Sequence, residues 1–335
     1  MDKTINKKNV SIILVGLILF SFFIYFAEPQ QIIDQLENSK PAYWLYGVIF
    51  CLLSVFTRAL KWNILLNKVS SSHQRIMTFL PYYFFNNLIS NFTPAKSGDA
   101  LGPIIFRKVF SVSYGTGIAV IFVDRLIELI ILLLGLFWSG LFFLPYKLSK
   151  ISWSRFGLIS AGLLIFFLMA GFLIFFVLNK MPVFFSFIEN RFDAKTLKKL
   201  ACFFKSEGDL LLKGIKSINA SIIFSKIVPL TIIAWGFDVL FMYMFYQSVV
   251  RVDFIHMILV HFVCVAVTLI SLVPYGIGVG EFNAYYLWML LGYQKDGIFA
   301  GILISRFFSV TLVVTLGLVS FIIINRYKNK IFKKV

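Results

Sequence analysis

Cysteine and histidine are too scarce in this sequence to build a disulfide framework or a metal centre. The 335 residues include three cysteines and three histidines. The spacing of Cys51, Cys202 and Cys264 suggests neither bridges nor ligands. His256 and His261 are five positions apart, which places them on different faces of a helix. We therefore predict no bound metal and no cofactor.

Charged residues are also rare, and acidic residues are the rarest of them. Charged side chains make up 14% of the chain, with 15 Asp and Glu against 32 Lys and Arg, while 59% of the residues are hydrophobic. The mean hydropathy is +0.88. A soluble domain has about 45–50% apolar residues, and repeated apolar runs of about 18 residues are typical of membrane spans. The composition excludes a soluble globular domain and predicts an all-α polytopic membrane protein.

The formal net charge of +17 has two interpretations. In a soluble protein such an excess suggests nucleic-acid binding. In a membrane protein it is typical of cytoplasmic loops rich in Lys and Arg and of contact with anionic headgroups. We expect a membrane lipid as partner, anionic or phosphate-bearing, and no nucleic acid, and we allow for a homodimer.

Six apolar segments are long enough to cross a membrane. The first follows a basic start without a small-x-small cleavage site, so we interpret it as an uncleaved span rather than a signal peptide. Arg58, Lys61 and Trp62 lie near the end of the second span and are interpreted as membrane-interface residues. The predicted spans are about Val10–Ala27, Pro41–Leu66, Tyr114–Leu144, Phe156–Asn179, Ile222–Val249 and Gly297–Asn325.

Two further apolar regions are interrupted by proline and glycine, at Pro94–Asp99 and at Pro274–Glu281. Non-helical backbone at membrane depth is tolerated where protein or a water-filled cavity satisfies its polar groups. We predict a re-entrant helical hairpin at each interruption. Helix starts there would direct free N–H groups at an anion such as phosphate; the alternative is a loop that only stabilises its hairpin. The residues predicted to turn the backbone are Pro94, Gly98, Pro274, Gly276, Gly278 and Gly280.

These interruptions belong to a predicted duplication. The prolines, the acids and the arginines that follow recur at offsets of 180 (Pro94 and Pro274), 182 (Asp99 and Glu281) and 181 (Arg125 and Arg306). With both hairpins re-entrant, 23 Lys and Arg lie inside and 6 outside, whereas letting every apolar run cross gives 17 against 12. We predict one membrane domain, 1–335, in which two repeats of opposite topology, about 10–144 and 156–325, contain six spans and two hairpins. A basic cytoplasmic connector covers 180–220, and both termini are cytoplasmic.

Ionised side chains within the apolar segments mark the predicted site. Each costs at least about 2.5–3.5 kcal/mol at the bilayer centre, so such groups usually face the interior of the bundle. Arg125 and Arg306 are the candidates for binding a lipid phosphate. Ion pairing between the repeats is an alternative role for the same charges. The other predicted site residues are Asp99, Asp124, Glu128 and Glu281 as partners of the arginines, with Asn91 and Lys96 beside the first interruption.

Two further expectations concern the partners of these acids. Asp124 and Glu128 are four residues apart and share a helix face, so they need a neighbouring cation, for which Arg306 is a candidate. Asp238 lies within an apolar segment and has no evident partner nearby in the sequence.

Four short motifs are shared with a known family. They are Arg58-x-x-x-Trp62-x-x-Leu65, Asn91 through Pro94 to Gly98-Asp99, Asp124-Arg125, and Pro274 through Gly276 and Gly278 to Glu281. With them the chain resembles the lysylphosphatidylglycerol synthase transmembrane family, also called the flippase-like domain, over about residues 40–325. The chain departs from that family where Asp99 and Asp124 replace the usual glutamates. It also has Gly102-Pro103 where an arginine is usual.

The resemblance implies an integral protein of the cell (inner or cytoplasmic) membrane that moves an amphipathic lipid between leaflets. Relatives handle aminoacylated phosphatidylglycerol, polyprenyl-phosphate sugars or hopanoids, which implies a phospholipid or polyprenyl-phosphate type of cargo. The family's synthase activity lies in a separate soluble domain, and no non-membrane stretch here reaches 50 residues. We therefore predict a transporter with no catalytic residue. The alternatives are a membrane enzyme acting on a lipid or polyprenyl-phosphate headgroup and a non-transporting scaffold of a lipid or glycan synthesis complex.

Overall fold

The described part of the chain is folded into helices. The computed structural model describes residues 37, 39–70, 73–147, 195–271 and 273–332, and these ranges contain no strand. Two 3₁₀ turns, Pro94–Ala100 and Pro274–Gly276, are the first break and the second break. The helices are α1 (Pro41–Val69), α2 (Ile76–Asn91), α3 (Leu101–Phe110), α4 (Tyr114–Lys147), α5 (Lys195–Ser217), α6 (Ala220–Gln247), α7 (Phe254–Ser271), α8 (Val279–Leu290) and α9 (Lys295–Phe332).

Four of these helices are long and apolar enough to cross a membrane: α1, α6, α7 and residues Lys295–Arg326 of α9. Three of the predicted spans therefore correspond to α1, α6 and α9. The predicted spans Val10–Ala27 and Phe156–Asn179 lie outside the described residues. α4 has 34 residues and contains the predicted span Tyr114–Leu144 with its three charged side chains.

The helices beside the breaks are mostly short. α2, α3 and α8 have 16, 10 and 12 residues. At a rise of about 1.5 Å per residue they reach about 24, 15 and 18 Å, less than the hydrocarbon core of about 30 Å. α7 packs against α8, and α2 packs against the first break and α3. α7 alone is long enough to cross, so the arms of the second hairpin are unequal. Re-entrant insertion stays a prediction.

The two halves of the described chain interlock. α1 packs along α6, and α2 packs along α9. One core surrounds Trp62 and Phe79 and draws on α1 to α4 with the start of α6. The other surrounds Trp288 and Phe299 and draws on α6 to α9. The first and second breaks touch each other, so part of the non-helical backbone of each half packs against the other half.

The described part of the basic connector forms α5, which packs across the first turns of α4. Glu207 accepts a hydrogen bond from the N–H of Gly115 at 2.6 Å and pairs with Arg107 at 3.2 Å. A carboxylate is favourable at a helix N-terminus because the first N–H groups there lack partners within the helix. Gly115 permits this approach, since a Cβ on it would lie 1.9 Å from the carbonyl oxygen of Glu207.

Replacing Gly115 with valine is expected to detach α5 from α4. The side chain would overlap the backbone of α5, and forced overpacking costs about 1–3 kcal/mol. We expect a lower midpoint of thermal unfolding in detergent and faster proteolysis within α5. The matched control is Gly236→Val in α6, where a Cβ meets nothing within 4 Å. Equal midpoints and equal cleavage rates for the two variants would contradict the docking described here.

Candidate functional site

An arginine is paired with a carboxylate beside each break. Arg125 Nε lies 3.0 Å from Asp99 Oδ2, and its NH2 lies 3.7 Å from Asp124. Arg306 Nε donates to Glu281 Oε1. The Arg125 side chain is 38% exposed and that of Arg306 is 23% exposed. Both guanidinium groups therefore have a carboxylate neighbour and also remain within reach of a ligand.

Glu281 organises the second break. Its Oε2 accepts a hydrogen bond from the N–H of Gly278 at 2.7 Å, at the start of α8. Arg306 donates to the carbonyl of Gly276 at 3.2 Å in addition to Glu281. The sequence predicts free N–H groups for an anion at this helix start. At the second break the carboxylate of Glu281 already binds one of these groups, the N–H of Gly278. Anion binding by the other N–H groups at this helix start stays a prediction.

Two glycines bring the second break close to its neighbours. Gly276 has a φ of +66°, in the region that favours glycine, and a Cβ on it would lie 2.6 Å from the Thr268 side chain. A Cβ on Gly280 would lie 2.9 Å from Arg306 NH2. The guanidinium therefore sits against bare backbone.

A central charge cluster connects α1, α4 and α6; it consists of Arg58, Lys61, Asp124, Glu128 and Asp238. Arg58 pairs with Asp238 at 2.6 Å and with Glu128 at 2.5 Å. Lys61 Nζ lies 2.8 Å from Asp124 and also binds Glu128. Lys61 is 0% exposed and Asp124 is 1% exposed. Lys61, Asp124 and Glu128 are thus removed from water and depend on their partners for stability, whereas Arg58 and Asp238 are partly exposed.

Uncharged donors complete the cluster. Trp62 Nε1 donates to Asp124 at 2.8 Å, and Trp235 Nε1 donates to Glu128 at 2.9 Å. The hydroxyl of Ser54 donates to Asp238. Each of the three carboxylates thus has a neutral hydrogen-bond donor as well as a cation.

The interpretation of Arg58, Lys61 and Trp62 as interface residues is wrong. α1 continues past them to Val69, and Lys61 and Trp62 are fully buried. The sequence does contain a signal for this. Ser54, Arg58 and Lys61 are spaced by four and three residues, which places them on one face of a helix. This spacing is a better indication of burial than the position of the three residues near the end of an apolar run is of exposure.

The cation expected for Asp124 and Glu128 also differs. Arg306 binds Glu281, while Lys61 and Arg58 supply the positive charge beside the two acids of α4. Asp238, which lacks a partner nearby in the sequence, finds Arg58 from the other half of the chain.

The two breaks meet through Phe92 and Tyr275, whose ring centroids are 5.3 Å apart. Lys96 and Tyr275 have φ values of 54° and 57°, a region that residues other than glycine rarely adopt. Such backbone persists only where its surroundings hold it, and it is frequent at functional sites. The guanidinium of Arg306 lies 5.1 Å from the ring of Tyr275.

Two cavities adjoin where the breaks meet. The larger has a volume of about 290 Å³, is mostly apolar, and is bordered by Glu281 and Arg306. The smaller has a volume of about 200 Å³ and is bordered by Arg125 and by the members of the central charge cluster other than Lys61. The residues that line both are Asn91, Lys96, Asp238, Phe241, Tyr275 and Ser309.

The structure brings most of the predicted site residues to these walls. Asp99 lines neither cavity, but it pairs with Arg125, which lines the smaller one. Asn91 uses its amide to bind the carbonyl of Asn87 at 2.9 Å. Among the described residues, no carboxylate lies within 4 Å of the Lys96 ammonium. The predicted residues that line a cavity are Asn91, Lys96, Asp124, Arg125, Glu128, Glu281 and Arg306.

Within the described ranges, no three His, Cys, Asp or Glu side chains are close enough to share a metal ion. The family described as lysylphosphatidylglycerol synthase TM region matches residues 11–317 of the chain. The chain belongs to this family. The match includes both breaks, the central charge cluster and both acid–arginine pairs, so the whole candidate site lies within the family region.

Two archaeal proteins are similar to this member of the lysylphosphatidylglycerol synthase TM region family. A UPF0104 membrane protein of Pyrococcus horikoshii is 23% identical over 328 residues, which cover 92% of this chain and 95% of the relative. A UPF0104 membrane protein of Methanocaldococcus jannaschii is 24% identical over 251 residues, or 72% of this chain and 95% of the relative. With its apolar helices, the chain is a multi-pass membrane protein of this family.

Proposed function

We propose that this protein moves a phosphate-bearing amphiphile, a phospholipid or a polyprenyl phosphate, between the two leaflets of the cell membrane. The observation that carries the proposal is that the two breaks meet beside two adjoining cavities, with an acid–arginine pair at each break. Charges that only join helices need no cavity. Here they border two adjoining cavities whose combined volume lies within the range of small-ligand pockets, about 300–1,000 Å³.

The cations at the walls suit a phosphate group. Lys96 lines both cavities and has no carboxylate within 4 Å among the described residues. Arg125 is the more exposed of the two paired arginines. Hydrogen bonds between cationic donors and phosphate are about twice as strong as neutral ones. The mostly apolar wall of the larger cavity is compatible with the start of an acyl or prenyl chain beside that headgroup.

We also propose the inverted repeat, about 10–144 and 156–325, as the basis of movement. The second half follows the first at a nearly constant offset, with α1 and α6 starting 179 residues apart and α4 and α9 starting 181 apart. Arg58 and Asp238, which bind each other, are 180 residues apart. In such repeats a central site is exposed alternately to each side as one half moves against the other. The distribution of Lys and Arg favours cytoplasmic termini and a cytoplasmic connector.

Lipid translocation in reconstituted vesicles tests the proposal. The vesicles contain a fluorescent phospholipid with an anionic phosphodiester headgroup, and a membrane-impermeant quencher reports its arrival in the outer leaflet. We expect the Lys96→Gln variant to translocate at least about tenfold more slowly than the wild type, because a hydrogen bond to a charged group contributes about 1.5–3 kcal/mol.

The matched control is Lys108→Gln, an exposed lysine in the last turn of α3, which should translocate at the wild-type rate. Absence of translocation by folded wild-type protein would contradict the proposed function. Chemical conversion of the lipid would instead indicate an enzyme, and activity only with an added partner would indicate a scaffold.

A further inference from the structure

One buried histidine in the larger cavity has no role in the site described so far. His261 is the eighth residue of α7, is 8% exposed and lines the cavity. Its Nε2 atom has no hydrogen-bond partner among the described residues. Buried polar side-chain atoms are usually hydrogen-bonded, so an exception requires an explanation. Protonation of this nitrogen would therefore break no existing hydrogen bond within the described part of the chain.

Packing, rather than hydrogen bonding, holds the ring in place. Its centroid lies 5.8 Å from that of Trp235 and 5.9 Å from that of Phe262, and both contacts are edge to face. Trp235 in turn donates its indole N–H to Glu128 at 2.9 Å. The imidazole is thus oriented by two rings, one of which is fixed to the central charge cluster.

Among the described residues, the charges that line the two cavities balance when no ligand is bound. Lys61 and Asp99 lie behind the walls and add one charge of each sign. A monoanionic headgroup would therefore leave one uncompensated negative charge in a medium of low dielectric constant, which is unfavourable. The cations that line the two cavities are Arg58, Lys96, Arg125 and Arg306, and the carboxylates are Asp124, Glu128, Asp238 and Glu281.

The two carboxylates that line the same cavity as His261 already have partners. Asp238 is bound by Arg58 and Ser54, and Glu281 is bound by Arg306. The ionisable groups that line the same cavity as the histidine are Asp238 and Tyr246 on α6, Lys96 in the first break, Tyr275 in the second, Cys264 on α7, Glu281 on α8 and Arg306 on α9. Arg58 on α1 and Glu128 on α4 line the adjoining cavity.

We propose that His261 takes up one proton from water when an anionic headgroup enters the cavity, and releases it when the headgroup leaves. The imidazolium restores neutrality to the occupied site. Proton and anion then favour each other's binding by the same factor, as linkage requires. If the protein moves lipid as proposed above, a proton gradient would drive net movement of the anionic lipid, and this consequence rests on the proposed function. The binding step can be measured without transport.

The direct test measures binding of a soluble anionic amphiphile to purified protein. Dihexanoyl phosphatidylmethanol is suitable because its phosphodiester keeps one negative charge over the range used. We expect its dissociation constant to be at least about fivefold lower at about pH 5.5 than at about pH 7.5, a range that brackets the titration of an ordinary histidine. In His261→Gln the change should fall below about twofold.

Two controls isolate the effect. His256 is in the first turn of the same helix, where it contacts Tyr293. The variant His256→Gln should keep the wild-type pH dependence. Binding of zwitterionic dihexanoyl phosphatidylcholine should not vary with pH. If His261→Gln does not fold, a pH indicator in weak buffer still decides the question, since wild-type protein should take up as much as about one proton per anion bound.

Anion binding that is equally tight at both pH values, without proton uptake, would overturn the inference. Translocation that ignores pH and survives His261→Gln would overturn it too, while leaving the proposed function intact. Binding that depends on pH and on His261 without any translocation in vesicles would support the inference and count against the proposed function.

Discussion

Protein carrying methionine in place of Lys61 is expected to lose about 3–5 kcal/mol of folding free energy, the usual cost of breaking a buried ion pair from one side. Lys61 is 0% exposed and is shared by Asp124 and Glu128. Methionine has a similar length, so the effect reports the lost charge rather than a cavity. The midpoint of thermal unfolding in detergent measures it.

A second substitution should restore part of the stability that Lys61→Met loses. Asp124→Asn removes one of the two carboxylates that Lys61 neutralises while it keeps a side chain that accepts the Trp62 indole N–H. The double variant should therefore melt at a higher temperature than Lys61→Met alone. Lys68→Met, an exposed lysine in the last turn of the same helix, should melt like the wild type. If the unfolding midpoint of Lys68→Met falls as far as that of Lys61→Met, disruption of the central charge cluster does not explain the lost stability.

The second large effect is expected at the Arg306–Glu281 pair. Arg306→Ala leaves Glu281, which is 2% exposed, with the N–H of Gly278 but no cation. This should cost about 3–5 kcal/mol and abolish translocation. A neutral double variant, Arg306→Met with Glu281→Gln, removes both charges and should recover much of the lost stability, because replacing a buried pair by uncharged groups is often nearly neutral.

Translocation by the neutral double variant separates the two roles of these charges. If Arg306 binds the headgroup, the variant should fold and still translocate at least about tenfold more slowly than the wild type, the loss of one charge-assisted contact. Wild-type rates from this variant would mean that the pair only joins α8 to α9. Arg326→Ala, an exposed arginine near the end of α9, is the control for charge removal on the same helix.

Local sequence features were sufficient to find the two arginines and their candidate carboxylates, but not which acid pairs with which arginine. Arg125 and Arg306 stand out because ionised side chains are costly within apolar segments, so each needs a partner nearby. Their carboxylates lie at the breaks, where proline and glycine make the non-helical backbone visible in the sequence. The spans α1, α6 and α9 could also be predicted from the sequence, because length and apolarity define them.

The central charge cluster could not be found in this way, because its geometry depends on how the halves interlock. Arg58 and Asp238 are 180 residues apart, and neither is recognisable as the other's partner until α1 packs along α6. The indole donors of Trp62 and Trp235 are ordinary aromatic residues in the sequence. The expectation that Arg306 pairs with Asp124 and Glu128 is wrong for the same reason. Lys61, which binds both acids, lies near the end of an apolar run, and this position in the sequence suggests an interface residue instead.

The balance of charge at the cavity walls has an electrical consequence. If the empty walls turned from one side of the bilayer to the other, the described side chains would move no net charge across the transmembrane potential, which otherwise acts with about 2.3 kcal/mol per charge per 100 mV. Transfer of a bound monoanion together with one proton would also move no net charge, so the membrane potential would not act on it. Such a carrier would respond to concentration and acidity and give no steady current, even while it worked at full speed.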